Sequence, residues 1–314
     1  MDRHLELDVL VAPLRNDVLS GAADIARVAA DVLLRAPLRV PAATLGELKG
    51  DLAELCLAIL DAQPAMAPLV ALVGTVLDAV GAAPDVDEGR EAARRVVEAF
   101  RSELEHRTAR VAARAAPLLP REGTVLTLSS SSTVREALLA NEGRGALQVV
   151  VLEGRPMQEG QHLAAALARA AVPVTLAVDA AATALVPRCA MVLLGADSIG
   201  DAGVVNKVGS VAVASAARAA GIPVLVLADE TKILPTGFPQ HLGDQRPSRE
   251  VWHAPAGVRI WNRYFEALPM DSVTSVVTET AALTPGDLER YRREIRLPEE
   301  IRDWARRRGW SRSP

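Results

Sequence analysis

Apolar residues in the first third of the chain return at three- and four-residue steps. Val18, Ala22, Ile25, Ala29 and Leu33 share one helical face, and Leu48, Leu52, Leu55 and Ile59 share another. Thr44 and Glu47 stand at capping-box spacing just before the second set. Between 87 and 114, Ala92, Val96, Phe100, Leu104 and Val111 form an apolar stripe against a densely charged face. The helical pattern runs from Asp17 to about Ala116. The most apolar stretch, 66–83, is interrupted by Pro68, Gly74, Asp78 and Gly81, which predicts a buried helix and no membrane span.

Two prolines and a charge pair at 117–122 break this period. Short apolar runs rich in β-branched residues then appear at 124–128, 147–152, 172–178, 191–194 and 223–227. Helical stretches such as 161–170 and 208–220 lie between most of them. Strand–helix alternation with continuously apolar strands predicts a parallel sheet covered on both faces. The expected organisation is an N-terminal helical domain over 1–118 and an α/β domain over 119–314.

Composition narrows the class. Half the residues are hydrophobic and a quarter charged, which excludes a disordered chain. A formal charge of −4 leaves no global basic field, so no nucleic-acid partner is expected. Arg306, Arg307 and Arg308 read as a solvated helix end. Two cysteines, Cys56 and Cys189, make neither a disulfide framework nor a thiolate metal site, and suit a reducing compartment. The first ten residues lack the order of a signal peptide, so a cytoplasmic protein is expected. The five histidines show no metal-ligand spacing, and neither metal nor cofactor is implied. Phe100 is the only aromatic residue before Phe238; the later group Trp252, Trp261, Tyr264 and Phe265 suits a dimer face or a core equally.

Parallel sheets bind ligands outside the carboxyl ends of their strands, so the residues there are the candidates. After the first strand come Ser129, Ser130, Ser131, Ser132 and Thr133, hydroxyls at a helix start suited to an anion. Thr133 and Glu136 also have capping-box spacing, which would account for them by local structure alone. After the second strand, Arg155 stands between Gly154 and Pro156, able to grip a phosphate or to pair with Glu153 or Glu159. Asp179 and Asp197 follow the third and fourth strands, as acid–base groups or as helix caps. Asn206 and Lys207, in a turn before the next helix, and Lys232 after the fifth strand bring a donor and two cations to the same crevice.

The strings LEGRPMQEGQHLAAALARAAVPVTLAVDAA and GADSIGDAGVVNKVGSVAVASAARAAGIPVLVLADETKILP resemble the initiation factor 2B-related superfamily. DVLSGAADIA near the start and YFEALPMDSVTSVVTETAALTP near the end resemble its opening helix and its terminal strand. That superfamily contains regulatory subunits of eukaryotic initiation factor 2B and isomerases of methylthioribose 1-phosphate and ribose 1,5-bisphosphate. The resemblance implies an α/β fold, an N-terminal all-helical domain followed by a Rossmann-like parallel-sheet domain. It implies a small phosphorylated sugar or nucleotide as ligand and a homodimer or higher oligomer. The isomerases' catalytic Asp carries over to Asp197, their phosphate-binding Arg to Arg155, and their Asn–Lys pair to Asn206 and Lys207. Their catalytic Cys falls where this chain has Ser129, an alkanol in place of a thiol of pKa roughly 8.5. Their N-terminal phosphate loop is not evident here. Under the isomerase reading Asp197 and Ser129 are the catalytic pair, with Ser130, Ser131, Arg155, Asn206 and Lys207 holding the substrate. The alternative is a non-catalytic regulatory or assembly protein.

Overall fold

Helices form first along the chain, where the apolar periodicity is strongest. The computed structural model describes residues 3–18, 20–35, 42–141 and 147–308. α1 (Arg3–Asn16), α2 (Ala22–Arg35), α3 (Leu45–Ala62), α4 (Ala67–Gly81) and α5 (Val86–Ala115) succeed one another. α1 lies ahead of the periodic segment; Pro13 interrupts its pattern, yet Val11 and Leu14 reach the core. The expected capping box starts α3: Glu47 N–H donates to Thr44 Oγ1 at 3.2 Å, and Glu47 Oε2 accepts from Thr44 N–H at 3.1 Å. Asp85 caps α5 by accepting from Glu88 N–H at 2.9 Å. Alanines 22, 26, 29 and 30 are buried where α2 meets its neighbours, which permits close helix approach. Within α5 the inward face carries Val97 and Leu104, whereas Val96 and Phe100 are only half-buried.

The second half opens with β1 (Gly123–Leu128), α6 (Ser132–Ala140), β2 (Leu147–Leu152), α7 (Gly160–Arg169) and β3 (Val174–Ala177). It continues through α8 (Ala182–Leu185), β4 (Met191–Leu194), β5 (Ser198–Gly200), β6 (Gly203–Lys207), α9 (Ser210–Ala220) and β7 (Val224–Leu227). β8 (Phe265–Leu268), β9 (Ser275–Val277), β10 (Ala282–Leu283), α10 (Pro285–Glu294) and α11 (Glu299–Arg307) complete it. The large sheet has the order β10-β9-β7-β4-β1-β2-β3, parallel throughout except for antiparallel β10. β4 and β7 are buried along their whole length, as strands covered on both faces must be. β3 departs from that expectation: it is the edge strand, and Leu176 is exposed.

The chain runs from β1 out to β3 and then returns to place β4 on the other side of β1. That reversal opens a crevice at the carboxyl ends of β1 and β4. A small antiparallel sheet, β5-β6-β8, hangs over this crevice. It was not anticipated: Asn206 and Lys207, expected in a turn, sit on β6.

α11 packs back on the first helices. Ile301, Trp304 and Ala305 join the helical core, and Trp304 Nε1 donates to Asp61 Oδ1 at 3.0 Å. Arg306 pairs with Asp303 and Arg308 with Asp61, so these two basic residues belong to the helix end and its docking. No helix among the described residues is long and apolar enough to cross a membrane. Trp304→Ala should cost about 3–5 kcal/mol in urea unfolding; a cost under about 1 kcal/mol would show that α11 is not part of this core.

Candidate functional site

The Ser129–Ser132 loop is wedged between the ends of β2 and β4. Ser129 takes a positive φ of 63°, uncommon for a residue with a side chain, and its N–H donates to Leu152 O at 3.0 Å. A Cβ at Gly154 would stand 2.8 Å from Ser129 Cβ, and one at Gly195 would stand 2.7 Å from Ser131 Oγ. Both strand-end glycines are therefore required by close approach of this loop. Ser131 caps α6, its Oγ accepting from Val134 N–H at 3.4 Å. The capping box expected at Thr133 and Glu136 does not form. Thr133 is already inside the helix, its buried Oγ1 without a hydrogen-bond partner among the described residues, and Glu136 pairs with Arg135.

The loop forms one wall of a pocket. Asp197, Asn206 and Lys207 form a second wall, and Lys232, Glu159 and Tyr264 complete much of the rest. The start of α2 closes it, with Ser20, Gly21, Ala22 and Ala23 lining the site. Asp197 is 9% exposed and held through its backbone at both sides: its N–H donates to Val205 O at 2.9 Å, and its O accepts from Ala67 N–H at 3.1 Å. Burial pushes its carboxyl up to about 6; Lys232, Lys207 and a hydrogen bond from the Ala22 backbone oppose that rise, and Glu159 adds to it. Such a carboxyl exchanges a proton near neutrality.

Lys207 and Lys232 are both buried. Lys207 Nζ lies 2.6 Å from Glu159 Oε1 and 4.9 Å from the centre of the Tyr264 ring. Asn206 Nδ2 donates to Ser210 Oγ at 3.0 Å, anchoring β6 to the first turn of α9. Lys232 is carried on the turn after β7. Glu279 Oε2 accepts from Glu230 N–H in that turn at 2.9 Å, while its Oε1 meets Arg107 Nη1 of α5 at 2.5 Å. A helix of the first half thus braces a cation of the second.

Ser129, Ser130, Ser131, Asp197, Asn206 and Lys207 come together as expected, and Lys232 joins them. Arg155 does not line this pocket. It is exposed, and its Nη2 donates to Val251 O at 3.3 Å. Asp179 does not line the pocket either: its two oxygens accept from Gly154 N–H at 2.8 Å and Arg155 N–H at 2.7 Å, fixing the loop after β2. Glu159 and the first residues of α2 were not anticipated as site residues. Glu159 read as a helix-opening residue, and Ala22 contributes a backbone hydrogen bond to Asp197, which no side-chain signal marks. Cys189 is buried, its Sγ 3.3 Å from Leu185 O, and lines no part of this pocket.

The fold and pocket define an α/β protein with a cation-bearing crevice at the point where its strand order reverses. The model of the Initiation factor 2 subunit family matches residues 18–285, and the chain belongs to that family. Ribose 1,5-bisphosphate isomerase of Archaeoglobus fulgidus is 28% identical over 281 residues, 87% of this chain and 88% of the relative. Methylthioribose-1-phosphate isomerase of Exiguobacterium sibiricum is 32% identical over 188 residues, spanning 55% of this chain and 53% of that protein. The Pyrococcus horikoshii translation initiation factor eIF-2B has the same fold, with a TM-score of 0.78 at 24% identity, covering 91% of this chain and 98% of that one.

The raised Asp197 carboxyl gives a signed dependence on pH. Its proton is held more tightly in the folded state, from a reference of 3.8 up to about 6, so ionisation penalises the fold as pH rises through that window. The stability of the wild type minus that of Asp197→Asn should fall by on the order of 3 kcal/mol between about pH 4 and 7. A difference flat across that range, measured by denaturant unfolding, would contradict the raised value.

Proposed function

We propose that this pocket binds a sugar carrying a 1-phosphate and isomerises it from aldose to ketose. The observation that carries this reading is a buried, protonatable Asp197 facing two buried lysines across a serine loop at a helix start. Lys207, Lys232 and the N-terminus of α6 are the complement of a phosphate. Asp197 exchanges protons with the sugar oxygens as general acid and base, and Asn206 and the hydroxyls of Ser130 and Ser131 orient the sugar. The names of the two isomerase relatives support the same substrate class. Arg155 has no part in this assignment. We further propose a homodimer acting in the cytoplasm, with Trp252 and Trp261 (55% and 63% exposed) contributing to the shared face.

A second reading, a non-catalytic regulatory protein of the same family, is favoured by Ser129: no cysteine lines the pocket among the described residues. Ligand binding and turnover separate the two. Ribose 1,5-bisphosphate or methylthioribose 1-phosphate, at roughly a hundredfold above Kd, should stabilise the wild type by about 2.7 kcal/mol in a thermal shift. Lys232→Gln should weaken that shift. Asp197→Asn should keep binding and lower turnover, followed by NMR, at least about 100-fold. Binding without wild-type turnover would select the regulatory reading, and no binding of either sugar would remove both the ligand class and the enzyme.

A further inference from the structure

Ser129 donates its hydroxyl to a carboxylate. Glu159 is 8% exposed, directly before α7, and its Oε2 accepts from Ser129 Oγ at 3.3 Å while its Oε1 pairs with Lys207 Nζ at 2.6 Å. The backbone after it is pressed against the end of β2: a Cβ at Gly160 would stand 2.3 Å from Leu152 O. This approach seats Glu159 under the serine loop, where it lines the same pocket as Asp197. A hydroxyl already donated to a carboxylate is poorly placed to act as a base, and an alkanol is a far weaker acid than the thiol its position implies.

Resting on the isomerase reading, we propose that Glu159 is the catalytic base that carries the proton between C2 and C1 of the sugar, with Ser129 positioning it. Protonated Asp197 gives its proton to the ring oxygen as the C1–O bond opens. Glu159 takes the proton from C2, and the released electron pair forms the C1=C2 bond of an enol phosphate. Glu159 returns a proton to C1, and the C2 hydroxyl proton passes to the Asp197 carboxylate as the C2=O bond forms. Both carboxyls end as they began, and no external oxidant or reductant is needed. Phosphate and Glu159 compete for Lys207. A bound phosphate draws the ammonium off the carboxylate and leaves Glu159 free to take the C2 proton.

The test is turnover of ribose 1,5-bisphosphate in D2O by the full chain, with product C1 read by NMR and binding read by thermal shift. The wild type should place measurable deuterium at C1. Glu159→Gln should retain the binding shift and lower kcat by roughly 10²- to 10⁴-fold. Glu159→Asp should restore part of the rate with deuterium still incorporated, which a role limited to holding Lys207 would not require. Turnover of Glu159→Gln within tenfold of wild type, or complete retention of protium at C1 in the wild-type product, overturns this assignment alone. Absence of wild-type turnover overturns it together with the isomerase reading.

Discussion

The site depends on keeping one carboxyl out of water at the meeting point of three elements. Asp197 is bound through its backbone to β6 on one side and to the first residue of α4 on the other, and its side chain accepts from the start of α2. A buried carboxyl without such partners would be strongly unfavourable. Satisfying it brings the helical half over the crevice of the sheet. The same contacts that lower the cost of burial exclude solvent from the pocket, and exclusion of solvent is what raises the proton affinity of the group.

Of the two lysines beside Asp197, one is held in an ion pair and the other acts on the carboxyl through its field. Lys207 has Glu159 as its partner, and Lys232 is felt electrostatically by Asp197. Buried ion pairs of this kind contribute little net stability, because desolvation offsets their attraction. The pocket carries little net charge, and its ammonium groups are fixed in place by β6 and by the turn that Glu279 and Arg107 brace.

Much of the scaffold was legible in the order of residues because burial is continuous where strands are central. β1, β2, β4 and β7 fall on the apolar runs to within a residue, and Thr44 announces α3 through its own hydrogen bonds. β5, β6 and β8 were not legible: Ser198, Gly200, Gly203, Asn206 and Glu266 interrupt them, so none shows the continuous apolar run that marks β4 and β7 at similar length. Among site residues, Asp197, Lys207 and Asn206 announced themselves by chemistry at strand ends. Arg155 has the right chemistry at the right strand end, but Asp179 gathers its backbone N–H while its guanidinium turns to Val251 O. Glu159 was hidden by the opposite circumstance, since an acidic residue at a helix start has an ordinary local explanation.

α5 is thirty residues long, about 45 Å at the usual rise per residue. Val97 and Leu104 lie in the helical core, while Val111, Ala112 and Ala115 lie in the core on one face of the sheet. A single rod shared by two cores makes a poor hinge. The spacing of the helical core and the sheet is thereby inherited from a continuous helix, because both cores are built on the same rod.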